Sequence, residues 1–214
     1  MRYLIVCGGK IDKEFGLNEI KTDGIDVIIA ADSGMDFLYE NGVTPDIIVG
    51  DFDSTTTNAL EYFERKGQTE IRKLNPIKDD TDTEYAIRLA ISEGARSIVV
   101  LGATGSRIDH VLGNISLLGI GLESGTDIRI IDTNNRIRMA DKPVTIEKSA
   151  QYGRFVSLIA LTDDNEVSLK GFKYPVTDYS FDRFTSLGIS NEIVDDHALI
   201  DIHRGKFIII ESKD

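Results

Sequence analysis

Pro45-Asp46-Ile47-Ile48-Val49-Gly50-Asp51-Phe52-Asp53-Ser54 decides the fold: an apolar run with strand character ends in two aspartates one residue apart. Side chains alternate across a strand, so continued strand geometry predicts Asp51 and Asp53 on one face and Phe52 on the other. Like charges so placed repel unless water screens them or a cation sits between them. Hard divalent ions take oxygen ligands, and Mg²⁺ usually keeps one or two carboxylates and leaves its other positions to water and substrate phosphates. A solvated acidic turn after a buried strand is the plain alternative. Acidic groups further along the chain tip the reading toward a metal.

Working outward, short apolar runs recur on both sides of this stretch. Tyr3 to Cys7, Ile25 to Ala31, Ile47 to Gly50, Glu70 to Leu74, Ser97 to Leu101 and Asp127 to Ile131 read as strands. Continuous apolar runs suit strands buried on both faces. Met35 to Glu40, Asn58 to Lys66, a segment from Asp80 to Glu93 and His110 to Leu122 read as the helices between them, with Gly42, Gly67 and Gly94 as stops. In the Asp80-Thr81-Asp82-Thr83-Glu84 segment, aspartate and threonine supply N-caps and early acids suit the positive end of the helix dipole. The alternation predicts an α/β N-terminal domain, residues 1–133, with an open, mostly parallel, Rossmann-like sheet covered by helices.

Past Asn134 the helical spacing disappears. Asn135 to Ala140, Val144 to Lys148, Arg154 to Leu161, Glu166 to Leu169, Ile189 to Ile193, Leu199 to His203 and Phe207 to Glu211 are strand-like and separated by turn residues. Seven short strands at this spacing predict a small all-β sandwich or barrel over residues 134–214.

Of 214 residues, 24 are Lys or Arg and 36 Asp or Glu, for a formal charge of −12. That balance disfavours nucleic acid or an anionic membrane as a general partner, while leaving room for a local basic pocket. The single cysteine, Cys7, lies in an apolar run and reads as a core thiol. The apolar run at the start is too short for a secretory signal, and no stretch approaches the roughly 20 apolar residues that span a bilayer. The chain therefore reads as soluble and cytoplasmic.

In an open α/β sheet, ligands bind beyond the carboxyl ends of the strands, near a switch in strand order. Asp32 follows one strand, Asp51 and Asp53 another, Asp80 and Asp82 open a helix after a third, and Arg107 and Asp109 follow a fourth. Carboxylates converging at one sheet edge need a counter-cation, and a metal–polyphosphate site supplies it. Gly102-Ala103-Thr104-Gly105-Ser106-Arg107 is the anion-loop candidate: small residues admit close backbone approach, and arginine binds phosphate bidentately. The segment lacks the Gly-Lys-Ser/Thr ending of a P-loop and the Gly-x-Gly-x-x-Gly fingerprint. His110 reads as a polar group at a helix start, and His197 and His203 lie away from any acidic cluster that the sequence places. Zinc-type Cys/His spacing is absent.

Asp51-Phe52-Asp53-Ser54-Thr55 resembles the Asp-x-Asp-x-Thr pattern of haloacid-dehalogenase-like phosphohydrolases over five residues. There the first aspartate is a nucleophile and the second a general acid. Those enzymes carry the pattern on the first strand, whereas here it follows the third. A Mg-dependent phosphohydrolase using Asp51 is thus the alternative reading, and a non-catalytic nucleotide or vitamin sensor a third.

A longer resemblance joins Ala31-Asp32-Ser33-Gly34, Pro45-Asp46, Gly50 to Ser54, Lys78-Asp79-Asp80-Thr81-Asp82-x-Glu84, Gly102 to His110 and Asn114. With Gly171-Phe172-Lys173-Tyr174-Pro175 and Ser190-Asn191-Glu192, these motifs are similar in content and order to the bacterial thiamine pyrophosphokinase family. The resemblance implies transfer of pyrophosphate from ATP to the hydroxyl of thiamine, giving thiamine diphosphate and AMP. It implies Mg²⁺ on Asp51, Asp53 and Asp82 with Asp32 nearby. Lys78, Thr104, Arg107, Asp109, His110 and Asn114 would serve ATP, and Tyr174, Ser190 and Asn191 the thiamine. It also implies a homodimer with active sites between subunits. Some relatives stack thiamine on a tryptophan; this chain has none, and Tyr174 stands in the similar segment.

Overall fold

The computed structural model describes residues 1–52, 58–75 and 80–214. The chain divides into two compact units, Met1–Thr133 and Asn134–Asp214.

The first unit alternates strand and helix: β1 (Arg2–Val6), α1 (Lys13–Ile20), β2 (Val27–Ala31), α2 (Gly34–Glu40), β3 (Ile47–Gly50), α3 (Ala59–Lys66), β4 (Glu70–Lys73), α4 (Asp82–Ser92), β5 (Ser97–Leu101), α5 (Ile108–Ser124) and β6 (Asp127–Ile131). Its six strands pair in the order β6-β5-β1-β2-β3-β4, every pairing parallel. Parallel strands need crossovers and are buried on both faces, which is why β1, β2, β3 and β5 are written almost wholly in aliphatics. Leu4, Val6, Ala30, Ile48, Leu101 and Ile131 pack with Met35 and Leu38 of α2 and Phe63 of α3 in one core. The strand order reverses direction between β1 and β5, so a crevice opens at their carboxyl ends.

The short α1 carries no sequence prediction; Asp12 caps it by accepting from the Phe15 N–H at 2.9 Å. At α4 the cap is Thr81, which accepts from the Glu84 N–H at 3.2 Å, so Asp80 is not the capping residue and Asp82 becomes the first helical one. The predicted alternation of Asp51, Phe52 and Asp53 fails at its middle member. β3 ends at Gly50, and Phe52 takes a left-handed backbone with φ of 66°. Its ring packs against the core of this unit.

The second unit holds eight strands rather than seven: β7 (Asn135–Ala140), β8 (Val144–Glu147), β9 (Phe155–Ala160), β10 (Glu166–Lys170), β11 (Val176–Ser180), β12 (Asn191–Glu192), β13 (His197–Arg204) and β14 (Phe207–Ser212). One antiparallel sheet runs β12-β9-β14-β7. The other runs β11-β10-β13-β8. Val156, Leu158, Phe207 and Ile209 of the first sheet share a core with Val167, Leu169, Ile200 and Ile202 of the second, the packing of a β-sandwich. The unpredicted β11 is an edge strand whose last four residues are exposed. Glu211 is 1% exposed and paired with Arg136 at 2.6 Å and Arg138 at 3.1 Å. His203, placed away from acids by the sequence reading, has Nε2 3.2 Å from the Asp178 carboxylate and 3.0 Å from the Ser168 hydroxyl.

Candidate active site

Four strand ends and two helix starts meet at the crevice of the first unit. Asp32 follows β2 and takes a left-handed φ of 48°, its N–H held by the Val49 carbonyl at 2.8 Å. Gly50 packs tightly beside it: a Cβ there would come 3.1 Å from the Asp32 Cα. Asp51 follows directly, and Asp82 opens α4. Carboxylate oxygens of Asp32, Asp51 and Asp82 all lie within 4.8 Å of one another, and each residue is half-buried. Thr83 secures the α4 start by donating its hydroxyl to the Cys7 sulfur at 3.4 Å. Burial pushes that thiol up to about 11, against a smaller opposing effect of the Thr83 bond.

A cleft of about 670 Å³ lies over this edge, with Asp32 and Asp82 in its wall. Its floor is the turn after β1 and the loop after β5, stitched by the Gly9 N–H to the Gly102 carbonyl at 2.9 Å. From sequence, Gly8-Gly9 reads only as the stop of the first strand, with no site role. The signal was there, in a Gly-Gly pair ending the central strand, because a Cβ on Gly9 would meet the Gly102 carbonyl at 2.2 Å.

The predicted nucleotide residues lie on the far wall, on the loop and α5. The Thr104 hydroxyl donates to Asp132 at 2.8 Å, and the Asn114 amide donates to the Ala103 carbonyl at 2.8 Å, so both brace the loop. Arg107 grips Asp109 with two N–H groups, at 2.6 Å and 3.2 Å. That grip, with the His110 N–H, holds the Asp109 carboxyl below its ordinary value. Both side chains are about two-thirds exposed, where such a pair adds little stability and leaves the arginine ready to exchange partners. His110 is exposed in the first turn of α5. Asp53 and Lys78 lie outside the described residues.

In the second unit, Tyr174, Ser190 and Asn191 form a local group. Asn191 is 6% exposed, and its side chain bonds both the N–H and the carbonyl of Tyr174. Tyr174 is 62% exposed and so stands outside the core of this unit. Ser190 is exposed in a left-handed backbone with φ of 60°, its N–H bonded to the Ser157 hydroxyl at 3.0 Å.

Donors of this kind suit phosphate chemistry: hard carboxylate oxygens beside two helix N-termini and a small-residue loop. Comparison with known proteins adds the family. Residues 21–130 match the family model described as thiamin pyrophosphokinase, catalytic domain, and residues 143–207 match thiamin pyrophosphokinase, vitamin B1 binding domain. Thiamine pyrophosphokinase of Bacillus subtilis is 34% identical over 195 residues, covering 90% of this chain and 90% of that protein. A solved thiamine pyrophosphokinase structure from B. subtilis superposes with a TM-score of 0.89 at 31% identity, covering 100% of both chains. One from Geobacillus thermodenitrificans gives 0.87 at 29% identity, over 100% of this chain and 98% of the other. These matches lend no support to the phosphohydrolase or sensor readings. With both halves matched in order and full-length relatives at this identity, the chain belongs to the thiamine pyrophosphokinase family, a family of diphosphotransferases.

Proposed function

We propose that this protein transfers the terminal diphosphoryl group of ATP to the hydroxyl of thiamine, releasing thiamine diphosphate and AMP. The observation that carries the reading is the approach of Asp32, Asp51 and Asp82 oxygens to within 4.8 Å of one another, beside the cleft that Asp32 and Asp82 line. Carboxylate donors at that spacing fit a Mg²⁺ ion, and we assign the three aspartates, with Asp53, to holding it. Held by these residues, the ion would supply charge neutralisation for the phosphates of ATP.

The chain's own groups orient and steady the reactants. Arg107 turns from Asp109 to the phosphates, and Lys78 adds a second positive charge. Thr104 and Asn114 keep the loop after β5 in place, while Asp109 and His110 face the nucleotide from the start of α5. The thiamine hydroxyl attacks the β-phosphorus, its oxygen–phosphorus bond forming as the bond from that phosphorus to the α-phosphate oxygen breaks. AMP departs, and the hydroxyl proton passes to one of Asp32, Asp51 or Asp53. Positioning and charge neutralisation are what such a transfer needs most.

Tyr174, Ser190 and Asn191 are our assignment for the vitamin site, Tyr174 as an aromatic face for a cationic thiazolium. We further propose a homodimer acting in the cytoplasm. Phe184, Leu187 and Ile189, exposed along one segment of the second unit, are apolar surface of the kind that association covers. Among the described residues no helix is long and apolar enough to cross a membrane.

Incubation of the purified protein with ATP, Mg²⁺ and thiamine tests the reading. AMP and thiamine diphosphate are expected in equal amounts. Phosphate release without AMP, in the presence or absence of thiamine, would overturn it.

A further inference from the structure

Gly113 sits inside α5, where glycine costs about 1 kcal/mol relative to alanine. Other helix glycines repay that cost in packing. A Cβ on Gly16 would lie 2.6 Å from Ile11 and 2.7 Å from Phe37, and one on Gly121 would lie 2.6 Å from the Thr126 carbonyl. A Cβ on Gly113 would meet no heavy atom within 4 Å. Packing among the described residues therefore gives no reason for a glycine here.

The space left open belongs to the cleft. Asp109, His110, Gly113, Asn114 and Leu117 line it from one face of α5, at the spacing of successive helical turns. The polar members stand at the start of the helix. Further along, Gly113 and Leu117, with Ala103 of the loop, give a small apolar wall. The acidic cluster that faces polyphosphate lies on the strand ends and α4 instead. One cleft thus offers a charged region for phosphates and a smooth one for a flat ring.

We propose that Gly113 is a specificity-determining residue: its missing side chain keeps open the ground against α5 where the base and ribose of a nucleoside triphosphate lie. This deepens, and rests on, the nucleotide reading of the cleft given above. A Cβ at this position meets no heavy atom within 4 Å, so a longer side chain has room to reach into that ground.

The test compares Gly113→Leu with the unsubstituted protein. Leucine is a better helix former, so thermal stability should hold or rise. The KM for ATP should rise about tenfold or more, with the KM for thiamine little changed. Mg²⁺-tripolyphosphate, which lacks base and ribose, should inhibit both proteins equally as a competitor of ATP. An unchanged KM for ATP overturns the proposal. So does an equal loss of ATP and tripolyphosphate affinity, which would give the residue a role in the shape of the whole cleft. A leucine variant melting below the parent also overturns it, because the protein rather than a ligand would then need the space. Failure of the unsubstituted protein to bind ATP would instead overturn the nucleotide reading itself.

Discussion

Asn191 clasps Tyr174 by both polar groups of its backbone: Oδ1 accepts the tyrosine N–H at 3.1 Å, and Nδ2 donates to its carbonyl at 2.9 Å. The asparagine is buried and the tyrosine ring exposed, so the pair divides its labour between holding and presenting. Asn191→Ala leaves two backbone groups without these partners and should cost about 1–3 kcal/mol in urea unfolding. If Tyr174 is a thiamine platform, the same variant raises the KM for thiamine more than it lowers kcat. Tyr174→Ala should repeat the KM effect with little loss of stability, and Tyr174→Phe should do neither.

Replacing Asp51 or Asp82 by asparagine keeps shape and removes charge. Turnover should fall by about 10²-fold or more, the scale of losing a group that stabilises transition-state charge. Steady-state AMP formation against Mg²⁺ concentration, with circular dichroism to check folding, measures it. Wild-type turnover in either variant would remove that carboxylate from the metal assignment.

The Cys7 thiol, buried and pushed up to about 11, stays protonated at neutral pH. The thiolate is the reactive form, so the folded protein should resist alkylation by iodoacetamide at pH 7 to 8 and react fully once unfolded. Mass spectrometry with and without denaturant reads the difference.

Glu211 gives the acid limb of stability. Burial would push its carboxyl up, but the Arg136 bonds, the Tyr152 N–H and the charges of Arg136 and Arg138 outweigh that and hold it below its ordinary value. The unfolded chain thus takes up this proton first, near a pH of about 4.3. Stability from the cluster is complete above that pH and drains away as pH falls toward the folded carboxyl's lower value. Glu211→Gln, which removes the carboxylate charge facing two partly buried arginines, should cost about 3 kcal/mol at pH 7. Urea midpoints between pH 7 and 3 should also fall less steeply in the variant than in the parent.

The α/β sheet and the sandwich were legible because burial writes itself in runs such as Leu4 to Val6, Ile98 to Leu101 and Phe207 to Ile210. Elements with weak burial were not. In α1 (Lys13–Ile20), Gly16 is the only buried residue, and β11 turns mostly polar side chains outward. At the site, sequence singled out Asp32, Asp51 and Asp82, and the chain folds them together. What it could not give was the turn at Phe52, since a positive φ on a bulky residue follows from tertiary packing and contradicts local preference. Nor could it show that the Asn191 amide is committed to Tyr174, because a buried and an exposed asparagine are written alike.

The left-handed turns at Asp32 and Phe52 carry one further consequence. They fix Asp32 and Asp51 beside Asp82 within the fold itself, so a metal-free molecule endures the mutual repulsion of its acids. Neutralising one of them should therefore raise the melting temperature of chelator-treated protein even as it silences the enzyme. If these acids carry the proposed metal, durability and competence pull in opposite directions at this corner of the sheet, and a screen for heat-resistant variants would drift toward inactive ones.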